Sequence, residues 1–171
     1  MRTRRAPRMS FLRIAAVLPL LMAAALDAAP ARADGLLPLP LPHGTAGMIG
    51  GNVGGVSHHG GGPAGIVAGV EASLVHLWRG GVWAGGYGDV LWDSGLRGVT
   101  TSVGPEIGWL LLGVDGGLVF QADLGGHTAV GYAIRPMLSL GFVDLYYRFS
   151  ETRGALHEIG VLVKVPVLGD I

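Results

Sequence analysis

Ile66-Val67-Ala68-Gly69-Val70-Glu71-Ala72-Ser73-Leu74 alternates with period two. Ile66, Ala68, Val70, Ala72 and Leu74 share one parity, and Gly69, Glu71 and Ser73 share the other. Successive side chains of a strand point to opposite faces, so this pattern predicts a strand with one apolar face and one face carrying a charge. Seven stretches of the chain behave this way. The open question is direction. In a soluble barrel the charges face water, whereas in a barrel surrounded by lipid the apolar parity faces out and the charges face in.

The pattern predicts eight strands, near 45–56, 64–78, 82–92, 97–109, 112–122, 129–140, 142–149 and 156–167. The first is glycine-rich and carries no charge. Arg79-Gly80-Gly81, Leu110-Leu111 and Gly141 make tight connections, while the alternate connections, such as Ser57–Pro63 and Asp123–Thr128, read as longer and more polar. Short turns at one end and polar loops at the other are the habit of transmembrane barrels. A weak repeat supports the hairpins. Pro105-Glu-Ile-Gly-Trp-Leu-Leu-Leu-Gly-Val-Asp115 resembles Pro136-Met-Leu-Ser-Leu-Gly-Phe-Val-Asp144, with the second copy two residues shorter. The shortening is assigned to the turn, which would put Asp115 and Asp144 at matching places.

Strand by strand, the polar parity collects Glu71, Asp89, Glu106, Asp115, Asp144 and Glu158 with Arg135, Arg148 and Lys164. Glycines accompany these charges (Gly69, Gly85, Gly104, Gly108, Gly113, Gly117, Gly131, Gly160), as a crowded interior needs. The apolar parity carries rows of Val, Leu and Ile and has aromatics near the strand ends. Trp78 and Trp109 lie by the short turns, and Trp92, Phe120 and Phe149 by the loops. Aromatic girdles belong at membrane interfaces, which favours charges inward and lipid outward. Eight strands leave a lumen that side chains fill, and buried charges demand partners. The six acids are therefore expected to pair with the two arginines and Lys164 in a structural interior network that plugs the barrel.

The start of the chain points to export. Arg2, Arg4, Arg5, Arg8 and Arg13 precede an apolar run from Ile14 to Leu26, and Ala31-Arg32-Ala33 offers a cleavage site after residue 33. This is the pattern of a secretory signal peptide, with an apolar run short for a membrane-spanning helix. Six of the twelve Lys and Arg residues and one of the twelve Asp and Glu residues precede residue 34, leaving a formal net charge of −5. No clustered basic face remains for nucleic acid. The chain has no cysteine, so no disulfide supports it outside the cytoplasm. Residues 34–44 are a Pro-rich extended lead-in, because alternate prolines block helix and ladder hydrogen bonds alike. The barrel domain is expected over 45–168.

On this signal, strand count, turn asymmetry and inverted alternation, the chain resembles the small eight-stranded outer-membrane β-barrels of Gram-negative bacteria. The resemblance implies an all-β, antiparallel, up-and-down transmembrane barrel with a filled polar interior. It also implies outer-membrane lipid and the barrel assembly machinery as partners. Such barrels usually end on an aromatic residue, whereas Val167-Leu168-Gly169-Asp170-Ile171 closes this sequence.

The function expected is structural or interactive, with no open pore. A soluble exported barrel, periplasmic or secreted, binding an apolar ligand inside is the alternative. A third reading is a lipid A-modifying barrel enzyme: the outer-membrane lipid A acyltransferases and deacylases resemble this barrel in size and use His and Ser near the outer rim, and here Ser57, His58, His59, Asp93, Ser94, His127 and His157 lie in or beside the loops. Asp-Ser-Gly is ordinary turn chemistry, and neither a catalytic nor a metal-ligand spacing stands out, so no catalytic residue, metal or cofactor is assigned. The glycines at 50–62 lack the Lys and helix of a phosphate-cradling loop.

Overall fold

A computed structural model describes residues 43–59 and 63–169. The expected signal peptide and all but the end of the lead-in lie outside these residues. Eight strands form: β1 (Gly44–His58), β2 (Gly65–Leu77), β3 (Val82–Asp93), β4 (Gly98–Trp109), β5 (Leu112–Asp123), β6 (Thr128–Ser139), β7 (Val143–Glu151) and β8 (Ala155–Gly169). Each pairs antiparallel with the next, and β8 pairs with β1 to close the barrel. Closure leaves no strand edge unpaired, which is how an all-β chain satisfies its backbone without burying an edge.

The register fixes the stagger. Following paired residues once around, Gly44–Leu77–Trp83–Gly108–Gly113–Met137–Tyr146–Gly160, the path meets β1 again at Gly54. That offset of ten residues over eight strands corresponds to a strand tilt of about 40°. Each step to the next strand therefore climbs about 3 Å toward the loop end.

Direction is unambiguous. Ile66, Val70, Val130 and Ile159 on the apolar parity are 61–70% exposed, while Arg135, Glu71, Asp89 and Glu158 on the other are at most 2% exposed. Among the described residues, thirty-one large apolar side chains are exposed and twelve apolar ones are buried. The interior is crowded at its glycines. The Trp83 indole lies across Gly108 and Gly113, where an added Cβ would collide with the ring, and the Tyr146 ring does the same at Gly160.

Two expectations are corrected. The hairpins of the internal repeat turn over equally short tips, with Trp109 opposite Leu112 and Leu140 N–H donating to the Val143 carbonyl at 2.7 Å. The two residues missing from the second copy are lost after the turn, not within it. Asp115 consequently lies opposite Glu106, while Asp144 lies opposite Ser139, one alternation step nearer its turn. The difference in loop length also shrinks. Gly98 pairs with Asp123 on β5 and Glu151 with Ala155, so these strands continue into what the sequence suggests as loop. Polarity separates the two ends more than length does.

Gly113→Val is expected to force a branched side chain into the Trp83 ring and to destabilise the barrel by about 1–3 kcal/mol. A lowered urea midpoint in detergent, largely restored by adding Trp83→Leu, is the expected result. An unchanged midpoint would contradict the packing.

Candidate functional site: an ionic lumen and a small cleft at the loop end

The charged residues of seven strands face the inside of the barrel because all sit on inward parity. Arg135 of β6 is central. Its Nε donates to Asp115 Oδ2 at 2.7 Å and its Nη2 to Glu71 Oε2 at 2.6 Å, with Asp89 Oδ2 3.8 Å from Nη1. The Tyr87 and Tyr146 rings lie 5.0 and 5.3 Å from the guanidinium carbon. A planar cation with several donors suits this cage of carboxylates and ring faces better than an ammonium group would.

The network spreads in both directions from that centre. Glu71 also meets Lys164 Nζ at 2.6 Å, and Lys164 reaches Glu106 at 3.2 Å and Ser73 at 3.4 Å. Toward the loops, Asp89 accepts from Arg148 Nη2, and its other oxygen accepts from the Ser102 backbone at 3.0 Å and hydroxyl at 2.5 Å. Arg148 Nη1 lies 3.9 Å from Glu158, which accepts from the Tyr146 hydroxyl at 2.5 Å. Eight of the nine charges read from the sequence thus form one connected cluster. Asp144 is the exception: it faces the lumen, but its carboxylate bonds the Ser139 side chain and makes no direct ion pair with the three cations. Tyr87, Tyr146, Ser73 and Ser102 share the inward parity and join the network, although no charge marks them in the sequence.

Apolar groups close the lumen around the charges. Val56, Val67 and Leu156 pack together toward the loop end with Leu96 against them, and Trp83 packs on Met137, Tyr146 and Leu162 toward the turns. A small void beside Arg148 and Glu158 measures about 10 Å³, room for one water at most. The apolar lumen that a ligand-binding soluble barrel needs is replaced here by charged side chains.

At the loop end, Asp93 is buried and organises the β3–β4 loop. Its Oδ1 accepts from Gly95 N–H at 2.8 Å and Leu96 N–H at 3.1 Å, and its Oδ2 lies 3.0 Å from His58 Nε2. His58 Nδ1 is 2.8 Å from the Pro63 carbonyl oxygen. The Ser94 hydroxyl accepts from Ile66 N–H at 2.8 Å. Both His58 nitrogens and the Ser94 oxygen are therefore engaged in holding loops, and they do not form a nucleophile–base pair. A cleft of about 180 Å³ opens beside them, lined in part by His58, His59, Gln121, Asp123 and Arg153. Asp123 accepts from Arg153 at 2.8 Å and from His127 N–H at 3.0 Å. Hydrogen bonding from Arg153, then from His127, pulls its carboxyl down to about 2. Among the described residues no three His, Asp or Glu side chains converge as a metal site.

No protein-family model and no curated protein matches the chain. Among solved structures it is similar to Ail, the attachment invasion locus protein of Yersinia pestis, at 12% identity, covering 73% of this chain and 100% of that one. The TM-score is 0.36 for that structure and 0.37 for the one of Ail in complex with the heparin analogue sucrose octasulfate, with the same identity and coverage.

Arg135→Ala leaves Glu71 and Asp115 buried without their shared cation and is expected to cost about 3–5 kcal/mol. The urea midpoint in detergent reports it. Arg148→Ala should lower the midpoint too, whereas Asp144→Asn should change it little. Unchanged unfolding for both arginine variants would show that the network does not hold the barrel. The Asp123 carboxyl carbon, followed by NMR, should titrate near pH 2, and Arg153→Ala should move it up toward the ordinary range near 3.9. A depressed pKa means that the contact persists above the ordinary carboxylate range and is lost only as pH falls through about 2.

Proposed function

We propose that this chain is an integral outer-membrane β-barrel of structural or interaction type, delivered by its signal peptide and closed to solutes along its axis. One observation carries the reading: a level apolar band, bounded by aromatics, surrounds a lumen filled with paired charge. Given the stagger, Trp92, Phe120, Tyr132, Phe149 and His157 fall within about 4 Å of one level near the loops. His76, Trp78, Trp109 and Phe142 form a looser ring near the turns. The two rings are separated by roughly 25 Å, the height of the apolar band of outer-membrane barrels.

Polar tips mark both rings. The Tyr132 hydroxyl donates to Glu151 at 2.6 Å, Tyr147 meets His157 at 2.6 Å, and Thr45 meets His76 at 2.8 Å. Aromatic rings with wet polar ends suit the boundary between hydrocarbon and headgroups. Water around this band would face an apolar surface far larger than soluble monomers leave bare.

Membrane fractionation tests the proposal. The protein is expected in the outer-membrane fraction, extracted only by detergent and migrating faster on gels when unheated. Release by osmotic shock would overturn it in favour of the soluble alternative. In planar bilayers the purified barrel is expected to give no discrete conductance steps. Steady single-channel currents would refute the closed lumen while leaving the membrane location intact.

A further inference from the structure

The two tightest turns carry large apolar side chains that hairpins in water avoid, beside a single turn glycine, Gly141, at φ of 84°. Leu110-Leu111 joins β4 to β5, and Leu140-Gly141-Phe142 joins β6 to β7. A two-residue hairpin connection surrounded by water favours Asn-Gly or Asp-Gly, because these tolerate the left-handed backbone and hydrate well. Here Leu110 adopts that conformation, with φ of 50°, at a cost of about 1 kcal/mol that Gly or Asn would avoid. Leu111, Leu140 and Phe142 are also 52–60% exposed, and no charge lies in either turn. The third turn is different: Trp78-Arg79-Gly80-Gly81 supplies a cation and two glycines in the left-handed region.

The stagger accounts for the contrast. Because the register climbs toward the loops from β1 to β8, successive turns do not end at one height. Arg79 lies outermost, while the tips at 110–111 and 140–142 lie about 5–10 Å nearer mid-barrel, level with Trp109 and His76. These two tips continue the apolar band without interruption. Leu112 lies opposite Leu138, Ser139 N–H donates to the Leu111 carbonyl, and Lys164 N–H to the Phe142 carbonyl.

We infer that the β4–β5 and β6–β7 turns are a lipid-contact surface, immersed at the acyl–headgroup boundary of the leaflet on the turn side, with Arg79 reaching the headgroups and water beyond. The occupant is lipid because the patch has no polar rim of its own before the band begins. This inference rests on the membrane reading above. It goes further by assigning the solvent of particular turns.

The cysteine-free chain allows single spin labels to test it. Leu111→Cys, Phe142→Cys and Arg79→Cys are labelled in dilauroylphosphatidylcholine vesicles, with Val70→Cys and Val163→Cys as mid-band references. Relaxation by oxygen, which concentrates in lipid, is compared with relaxation by a water-soluble nickel chelate. The expected result is oxygen preference at 111 and 142, as at 70 and 163, and a several-fold preference for the nickel chelate at 79. If 111 and 142 match 79 while 70 and 163 stay in lipid, the turn assignment fails and the membrane reading stands. Low accessibility to both reagents at the tips would mean that a second copy covers them, which also overturns the assignment. Nickel access at 70 and 163 would remove the membrane reading itself.

Discussion

A guanidinium enclosed in a narrow barrel is cut off from bulk solvent, and the rest of this fold is arranged around that constraint. Arg135 meets Asp115 and Glu71 directly and has Asp89 just beyond, while two tyrosine rings cover its faces. Two of these carboxylates are in turn held by a second group, Lys164 on Glu71 and Arg148 and Ser102 on Asp89, while Asp115 depends on Arg135 alone. Removing any one leaves a buried charge exposed to low dielectric, so the members stabilise one another more than a list of pairs suggests. Bulky partners around the cluster then require glycines wherever a ring crosses a neighbouring strand, as Trp83 does at Gly108 and Gly113.

Filling the lumen with ions has a consequence outside. Eight strands have only two faces, and a chain that commits its polar parity to the centre must present Val, Leu and Ile outward. Packing the interior and choosing the surrounding solvent are therefore one decision. That is why the network, the exposed band and the apolar turns all favour the same environment. The loop end is kept small and internally tied by Asp93, Asp123 and Ser94, which leaves a shallow cleft and not a broad binding platform.

Much of this was legible from residue order. Period-two alternation located seven of the eight strands within a few residues, all but the glycine-rich first, since a strand's parity is local and survives any tertiary arrangement. The nine interior charges and the crowding glycines followed from the same parity. Residue order does not place the loss within the repeat, because a two-residue deletion preserves parity: Asp144 stays on the inward face wherever the loss occurs, and only pairing with Ser139 locates it. Tyr132 and His157 join the aromatic ring only in the closed barrel, because their level depends on how far the register climbs around it.

By itself, then, the amino-acid sequence determined the strands, their two faces and the identity of the buried charges, all properties of side-chain alternation along single segments. Tertiary structure alone decided which acid meets which base, such as Arg135 with Glu71, 64 residues apart in the chain. It also decided the height of each turn relative to the band, because closure imposes a ten-residue stagger that no single strand contains. Alternation tells a side chain which way to point; only the closed register tells it what it will meet there.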